Sequence, residues 1–101
     1  MEKNKPHYPL QDAQAIVARD GVLAFTQTAI MGAAVLGLSG KQACQMVCQL
    51  TRSGFYKSMT TYADSRVWQD VYHAQCPDGR VAYVKLTLTQ GGKVVIQFKE
   101  Q

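Results

Sequence analysis

The sequence lacks most of what would assign it quickly. Its longest apolar stretch, Ala29 to Leu38, is interrupted by Gly32 and Gly37 and falls well short of the roughly 20 residues that span a bilayer, which excludes a membrane helix there. The opening Met1-Glu2-Lys3-Asn4-Lys5-Pro6 is charged, with no continuous apolar core and small-residue cleavage site behind it, so a cytoplasmic location is expected. There is no internal repeat, low-complexity tract or charge block to suggest disorder. No His/Cys/Asp/Glu cluster has metal-ligand spacing, no glycine-rich phosphate loop precedes a helix, and no serine-centred nucleophile elbow occurs. The expectation is therefore chemistry without a metal or other cofactor.

Cysteine is also scarce. Three residues, Cys44, Cys48 and Cys76, are an odd number at irregular spacing, which argues against a disulfide framework and fits a reducing compartment. Cys44 and Cys48 stand four apart on one helical face, but no second ligand pair follows, so they read as core packing. Cys76, beside Pro77, reads as a turn residue.

What is present fits one folded domain over residues 1–101: an apolar fraction of 47%, enough for a single core but not for a deep internal cleft. Charge is uneven. Residues 1–50 carry four Lys/Arg against three Asp/Glu, and residues 51–101 carry seven against four, so a polyanion would prefer the C-terminal half.

Leu10, Ala13, Ile16 and Val17 recur at helical spacing before Gly21, predicting a first helix. A second starts after Thr26, carries Ala29, Ile30, Ala33, Ala34 and Leu36, and ends at Gly37. Val22–Phe25 reads as a short strand between them. Ser39 with Gln42 has capping-box spacing ahead of Ala43, Met46, Val47 and Leu50, the apolar face of a third helix.

After Thr51, β-branched and aromatic residues take over, and strands are expected over about 55–62, 67–74, 81–89 and 94–99. Pro77-Asp78-Gly79 and Gly91-Gly92 supply turns. Short turns join strands antiparallel, and helices that precede them cover one face or one end, so the fold class is α+β with the other sheet face open. Alternation sets Ala82, Val84, Leu86 and Leu88 inward and Tyr83, Lys85 and Thr87 outward. It likewise sets Val94, Ile96 and Phe98 inward, and Gln97 and Lys99 outward. Parity does not settle Lys57 or Gln69, whose neighbours on both sides are apolar; a bulge or two-sided burial would reconcile them.

An open face with lysines, a tyrosine and an amide, interleaved with Tyr56, Tyr62, Trp68 and Tyr72, suits single-stranded RNA. Bases stack on aromatic rings while Lys and Arg follow the phosphates. RNA carries its own nucleophile, the ribose 2′-hydroxyl, so cutting it requires only positioning, charge stabilisation and proton transfer. Lysine and tyrosine can share these tasks, but the sequence does not say which is base and which is acid. Trp68 serves either to stack a base or to anchor the sheet. His73 has no visible carboxylate partner and reads as inert, and His7 sits near a chain end.

The run Phe55-Tyr56-Lys57-Ser58-Met59-Thr60-Thr61-Tyr62, then Asp64, then Trp68-Gln69-Asp70-Val71-Tyr72, with the closing Phe98-Lys99-Glu100 and the opening Met1-Glu2-Lys3 and Pro6-His7, resembles the MqsR toxin family. The resemblance implies a RelE-like fold with three N-terminal helices against a mainly antiparallel sheet. It implies an endoribonuclease that cuts messenger RNA at GCU-like sites, with Lys57, Gln69, Tyr83 and Lys99 as catalytic residues. Tyr56, Arg66, Trp68, Arg80 and Lys85 are the accompanying RNA-binding candidates. It further implies an MqsA-like antitoxin partner with a zinc-binding domain and a helix-turn-helix, through which alone the toxin would meet DNA. The competing readings are a non-catalytic RNA-binding module and a transcriptional co-regulator acting through its partner.

Overall fold

The computed structural model describes residues 1–88 and 91–101. A two-residue strand, β1 (Glu2–Lys3), is followed by helices α1 (Leu10–Asp20), α2 (Gln27–Val35) and α3 (Gly40–Cys48), and then by strands β2 (Phe55–Thr60), β3 (Trp68–Gln75), β4 (Val81–Leu86) and β5 (Val95–Glu100). The strands form one sheet in chain order, each pair antiparallel. The α+β class expected from the sequence is the one observed, with the three helices ahead of β2 to β5.

Local chemistry explains the helix boundaries. Ser39 and Gln42 form the reciprocal capping box, with bonds of 3.1 and 2.9 Å, and Thr26 caps α2 through the Ala29 amide at 3.1 Å. Thr26 also fastens the helix to the sheet. Its hydroxyl donates to the Ile96 carbonyl at 2.6 Å and its amide to the Val95 carbonyl at 3.0 Å. Helix α2 lies so close to β5 that a Cβ on Gly32 would stand 1.7 Å from the Phe98 carbonyl oxygen, a contact only glycine permits.

One face of the sheet is the core face. The row Phe55, Tyr72, Val84 and Phe98 runs straight across β2 to β5, and Tyr72, Val84 and Phe98 are at most 1% exposed. Val17, Phe25, Ala29, Ala33 and Val47 close over it from the helical side in one continuous apolar cluster. Burying each large side chain contributes about 1.5–3 kcal/mol. The core is thus built between the helices and one side of the sheet.

Several expectations are corrected. Residues Gly21–Ala24 form a 3-10 turn rather than a strand, and only Phe25 reaches the sheet, by a single bridge to Val95. β4 ends at Leu86, so Thr87 turns inward instead of joining the open face. It is 2% exposed, and its hydroxyl donates to the Trp68 carbonyl. Thr89, the expected strand end, lies outside the described residues. In β5 the register slips opposite Lys85 and Leu86, which puts Val95 into the core in place of Ile96; Val95 is fully buried and Ile96 half-buried. The corresponding slip in β2 falls between Phe55 and Lys57. It is the bulge that the parity conflict at Lys57 required.

β1 was not anticipated. It is held through Asp70, a 1% exposed carboxylate on the core side of β3 that accepts the amides of His7 (3.0 Å) and Tyr8 (2.9 Å) and the Ser58 hydroxyl (2.6 Å). These bonds draw the segment before α1 against the sheet, and Glu2 and Lys3 pair with Met59 and Ser58 beyond it.

Candidate active site on the open sheet face

Three cross-strand rows make up the open face. Glu2, Met59 and Gln69 form the first, and Lys57, Val71, Lys85 and Gln97 the second. His73, Tyr83 and Lys99 form the third, with Tyr56 bulged over it. Successive rows lie about 7 Å apart and neighbouring strands about 4.8 Å apart, so the whole patch is the size of a dinucleotide. Val71, fully buried at its centre, forms an apolar floor beneath long cationic side chains.

In the third row the rings of Tyr56 and His73 stack at 4.7 Å, and Tyr83 stands tilted to His73 at 5.6 Å and edge-on to Tyr56 at 6.2 Å. Lys99 Nζ lies 5.6 Å and Lys85 Nζ 5.9 Å from the Tyr83 ring centre, and Lys57 Nζ lies 5.3 Å from that of Tyr56. Three ammonium groups thus share one aromatic cluster. The electrostatics differ from lysine to lysine. Burial, and then the charges of Lys99 and Lys57, push the Lys85 pKa down. The Lys57 pKa is pushed up, chiefly by its hydrogen bond to Glu2, which closes an ion pair at 2.9 Å. The same bond lowers the Glu2 pKa. Beside that pair, Met1, Glu2, Lys57, Met59, Thr60, Thr61 and Tyr62 line a cleft of about 260 Å³.

Of the nine residues singled out from the sequence, Lys57, Tyr83, Lys99, Lys85 and Tyr56 come together here, and Gln69 flanks them from the first row. Trp68 does not join them. It belongs to the opposite side of β3, where Lys3 Nζ sits 4.2 Å from its ring and His7 stacks on it at 5.3 Å. Arg66 is in the β2–β3 connection, paired to Asp64 at 3.0 Å. Arg80 is in the β3–β4 turn, bonded to Asp78 at 2.8 Å and to the Leu36 carbonyl at 3.0 Å. No group of three or more potential metal ligands occurs among the described residues.

Two members of the face escaped the sequence reading. His73 was set aside, although it shares strand parity with Gln69 and Val71. Its Nε2 is buried without a hydrogen-bond partner among the described residues. Glu2 carried no periodic signal at all.

The family model described as "Motility quorum-sensing regulator, toxin of MqsA" matches residues 5–100. The chain belongs to the MqsR toxin family. It is 39% identical to the mRNA interferase toxin MqsR of Escherichia coli (strain K12) over 101 residues, all of both chains. Within this MqsR-type fold no described helix is long and apolar enough to cross a membrane.

Proposed function

We propose that residues 1–101 act as a single toxin domain of a type II toxin–antitoxin pair in the cytoplasm, and that the open sheet face is a metal-independent endoribonuclease site for messenger RNA with a preference for GCU-like sequences. Lys57, Lys85 and Lys99 bind the phosphates and offset the charge that develops at phosphorus. Tyr56 and Tyr83 offer stacking surfaces and a hydroxyl, and Gln69 hydrogen-bonds the nucleotide at the first row. The 2′-hydroxyl attacks the adjacent phosphorus, leaving a 2′,3′-cyclic phosphate and a 5′-hydroxyl. Translation and growth stop as transcripts are cut. The partner is an MqsA-like antitoxin, whose zinc site and helix-turn-helix belong to it and not to this chain; DNA is met through that partner alone.

The observation that carries this reading is the clustering of three lysines around Tyr56 and Tyr83 on an uncovered face in a chain of this family. The test is cleavage of a short GCU-containing RNA by the purified protein in excess EDTA. Cutting is expected to persist with the chelator and to vanish when the nucleotide 5′ to the cut carries deoxyribose. Binding without cutting would support a non-catalytic RNA module instead, and binding to promoter DNA by the toxin alone would support a direct regulator.

A further inference from the structure

Cleavage through the 2′-hydroxyl needs a group that takes its proton, and the lysine–tyrosine set does not supply an evident one. Lys57 is held as an ammonium by its ion pair. Lys85 and Lys99 are needed as cations where charge accumulates. The carboxylates are mostly elsewhere. Asp70 is on the core side under the His7 and Tyr8 amides, Asp64 and Asp78 are engaged by Arg66 and Arg80 in the connections, and Glu100 pairs with the core-side Ala82. Among the described residues, Glu2 is the carboxylate that the register brings onto the open face.

Resting on the endoribonuclease reading above, we propose that Glu2 is a catalytic residue of this site: the general base that accepts the 2′-hydroxyl proton. The row order suits the reaction. An in-line displacement needs its base and its acid on opposite sides of phosphorus. Glu2 and Gln69 occupy the first row, Lys57 and Lys85 the middle row, and Tyr83 and Lys99 the third; Glu2 on β1 and Tyr83 on β4 are thus two rows and three strands apart, with the long Lys57 and Lys85 side chains in the row between them. A phosphate seated on Lys57 and Lys85 has the Glu2 carboxylate towards its 2′ side and the Tyr83 hydroxyl towards its 5′ side. The proton of the 2′-hydroxyl passes to a Glu2 oxygen as the 2′ oxygen–phosphorus bond forms. The phosphorus–5′ oxygen bond breaks, and the departing oxygen takes the Tyr83 hydroxyl proton. Exchange with water resets both groups.

Two further features fit. Glu2 is on the wall of the 260 Å³ cleft with Lys57, where the ribose of the attacking nucleotide has room. Its side chain is 60% exposed, and it is kept ionised by the groups that face it: Lys57 from β2, with a smaller contribution from the Met1 amino group just ahead of its own strand.

The experiment compares wild type, Glu2→Gln, Glu2→Asp and Lys85→Met on the same RNA, with kcat and KM followed from acid to alkaline pH. Loss of a general base lowers kcat by roughly 10²–10⁴-fold. Glu2→Gln is expected to show that loss with KM within a few-fold of wild type and with the rise in rate on the acid side of the profile abolished; Glu2→Asp should keep part of the rate and the acid limb. Cleavage by Glu2→Gln at or above the wild-type rate would make Glu2 a mere mask over Lys57 and overturn the proposal. So would a slow Glu2→Gln enzyme that keeps its acid limb, or an acid limb lost only in Lys85→Met. Absence of cutting by wild type, or equal cutting of the deoxy substrate, would instead remove the endoribonuclease reading, and this one with it.

Discussion

The two faces of this sheet are made from the same strands and obey opposite rules. On the core face, Tyr72, Val84 and Phe98 are buried against apolar partners from the helices, and the single polar exception in that row is the Tyr72 hydroxyl, buried without a partner among the described residues. On the open face, one residue further along each strand, three lysines crowd a set of aromatic rings, an imidazole nitrogen has no partner among the described residues and one lysine has its pKa pushed down. Natural proteins tolerate unfavourable local arrangements where chemistry requires them, at a cost in stability. Substitutions on the two faces should therefore separate cleanly, those on the core face acting on folding and those on the open face on cleavage.

The largest expected effect belongs to the core face. Phe98→Ala removes a fully buried ring that stacks on Phe25 at 6.4 Å and should cost about 3–5 kcal/mol of folding stability. Denaturant titration should register it, while cleavage per folded molecule stays near wild type. Lys57→Ala is the mirror image. Loss of one charge-stabilising donor should lower kcat by roughly 10²–10³-fold, with the melting temperature shifted little, because the ion pair to Glu2 is open to solvent on the Glu2 side and screened there. If the two variants exchanged signatures, the division between the faces would be wrong.

Asp70 is where the two faces are coupled. Asp70→Asn replaces an acceptor-only carboxylate with an amide whose NH₂ group must meet one of the donors from His7, Tyr8 or Ser58. The loss should be about 1–3 kcal/mol. Because the same bonds hold the segment that carries β1, cleavage should fall as well, and exchange of the Thr60 amide, which donates to the Met1 carbonyl at 3.0 Å, should accelerate. A purely thermal effect with full activity would separate β1 from the site.

How much of this was legible depended on whether the information was local. The capping box at Ser39 and Gln42, and the cap at Thr26, are written within four residues and are legible in the sequence. Period-two alternation found Tyr83, Lys85 and Lys99. Alternation failed wherever the register slips, since a bulge near Tyr56 or Ile96 leaves no mark in a one-dimensional pattern. The apolar segment Val22 to Phe25 satisfies a strand template and a tight turn equally well. Glu2 was invisible for a different reason. Its strand is two residues long and exists because a carboxylate 68 positions later, Asp70, pins the intervening chain. Non-local pairing of that kind has no sequence period.

The smallest expected effect tests the comparison most finely. Lys85 has its pKa lowered by burial first and by Lys99 and Lys57 second. The unfolded chain therefore binds more protons at this position than the folded one over the interval between the depressed value and the ordinary lysine range. In that interval stability rises with pH, and below it the folded state carries the full cost of the buried charge. Lys85→Met keeps the apolar stem over Val71, removes the repulsion and should stabilise the protein by on the order of 0.5 kcal/mol at neutral pH once solvent screening is allowed for. It should also flatten the alkaline rise in melting temperature. The same change should weaken RNA binding and reduce its salt dependence by the share of one phosphate contact, a change of about 0.7 in the slope of log affinity against log salt. Stabilisation together with weaker binding is what a face built for function predicts. Destabilisation would make Lys85 a structural residue, and the open face would then differ from the core face only in its solvent.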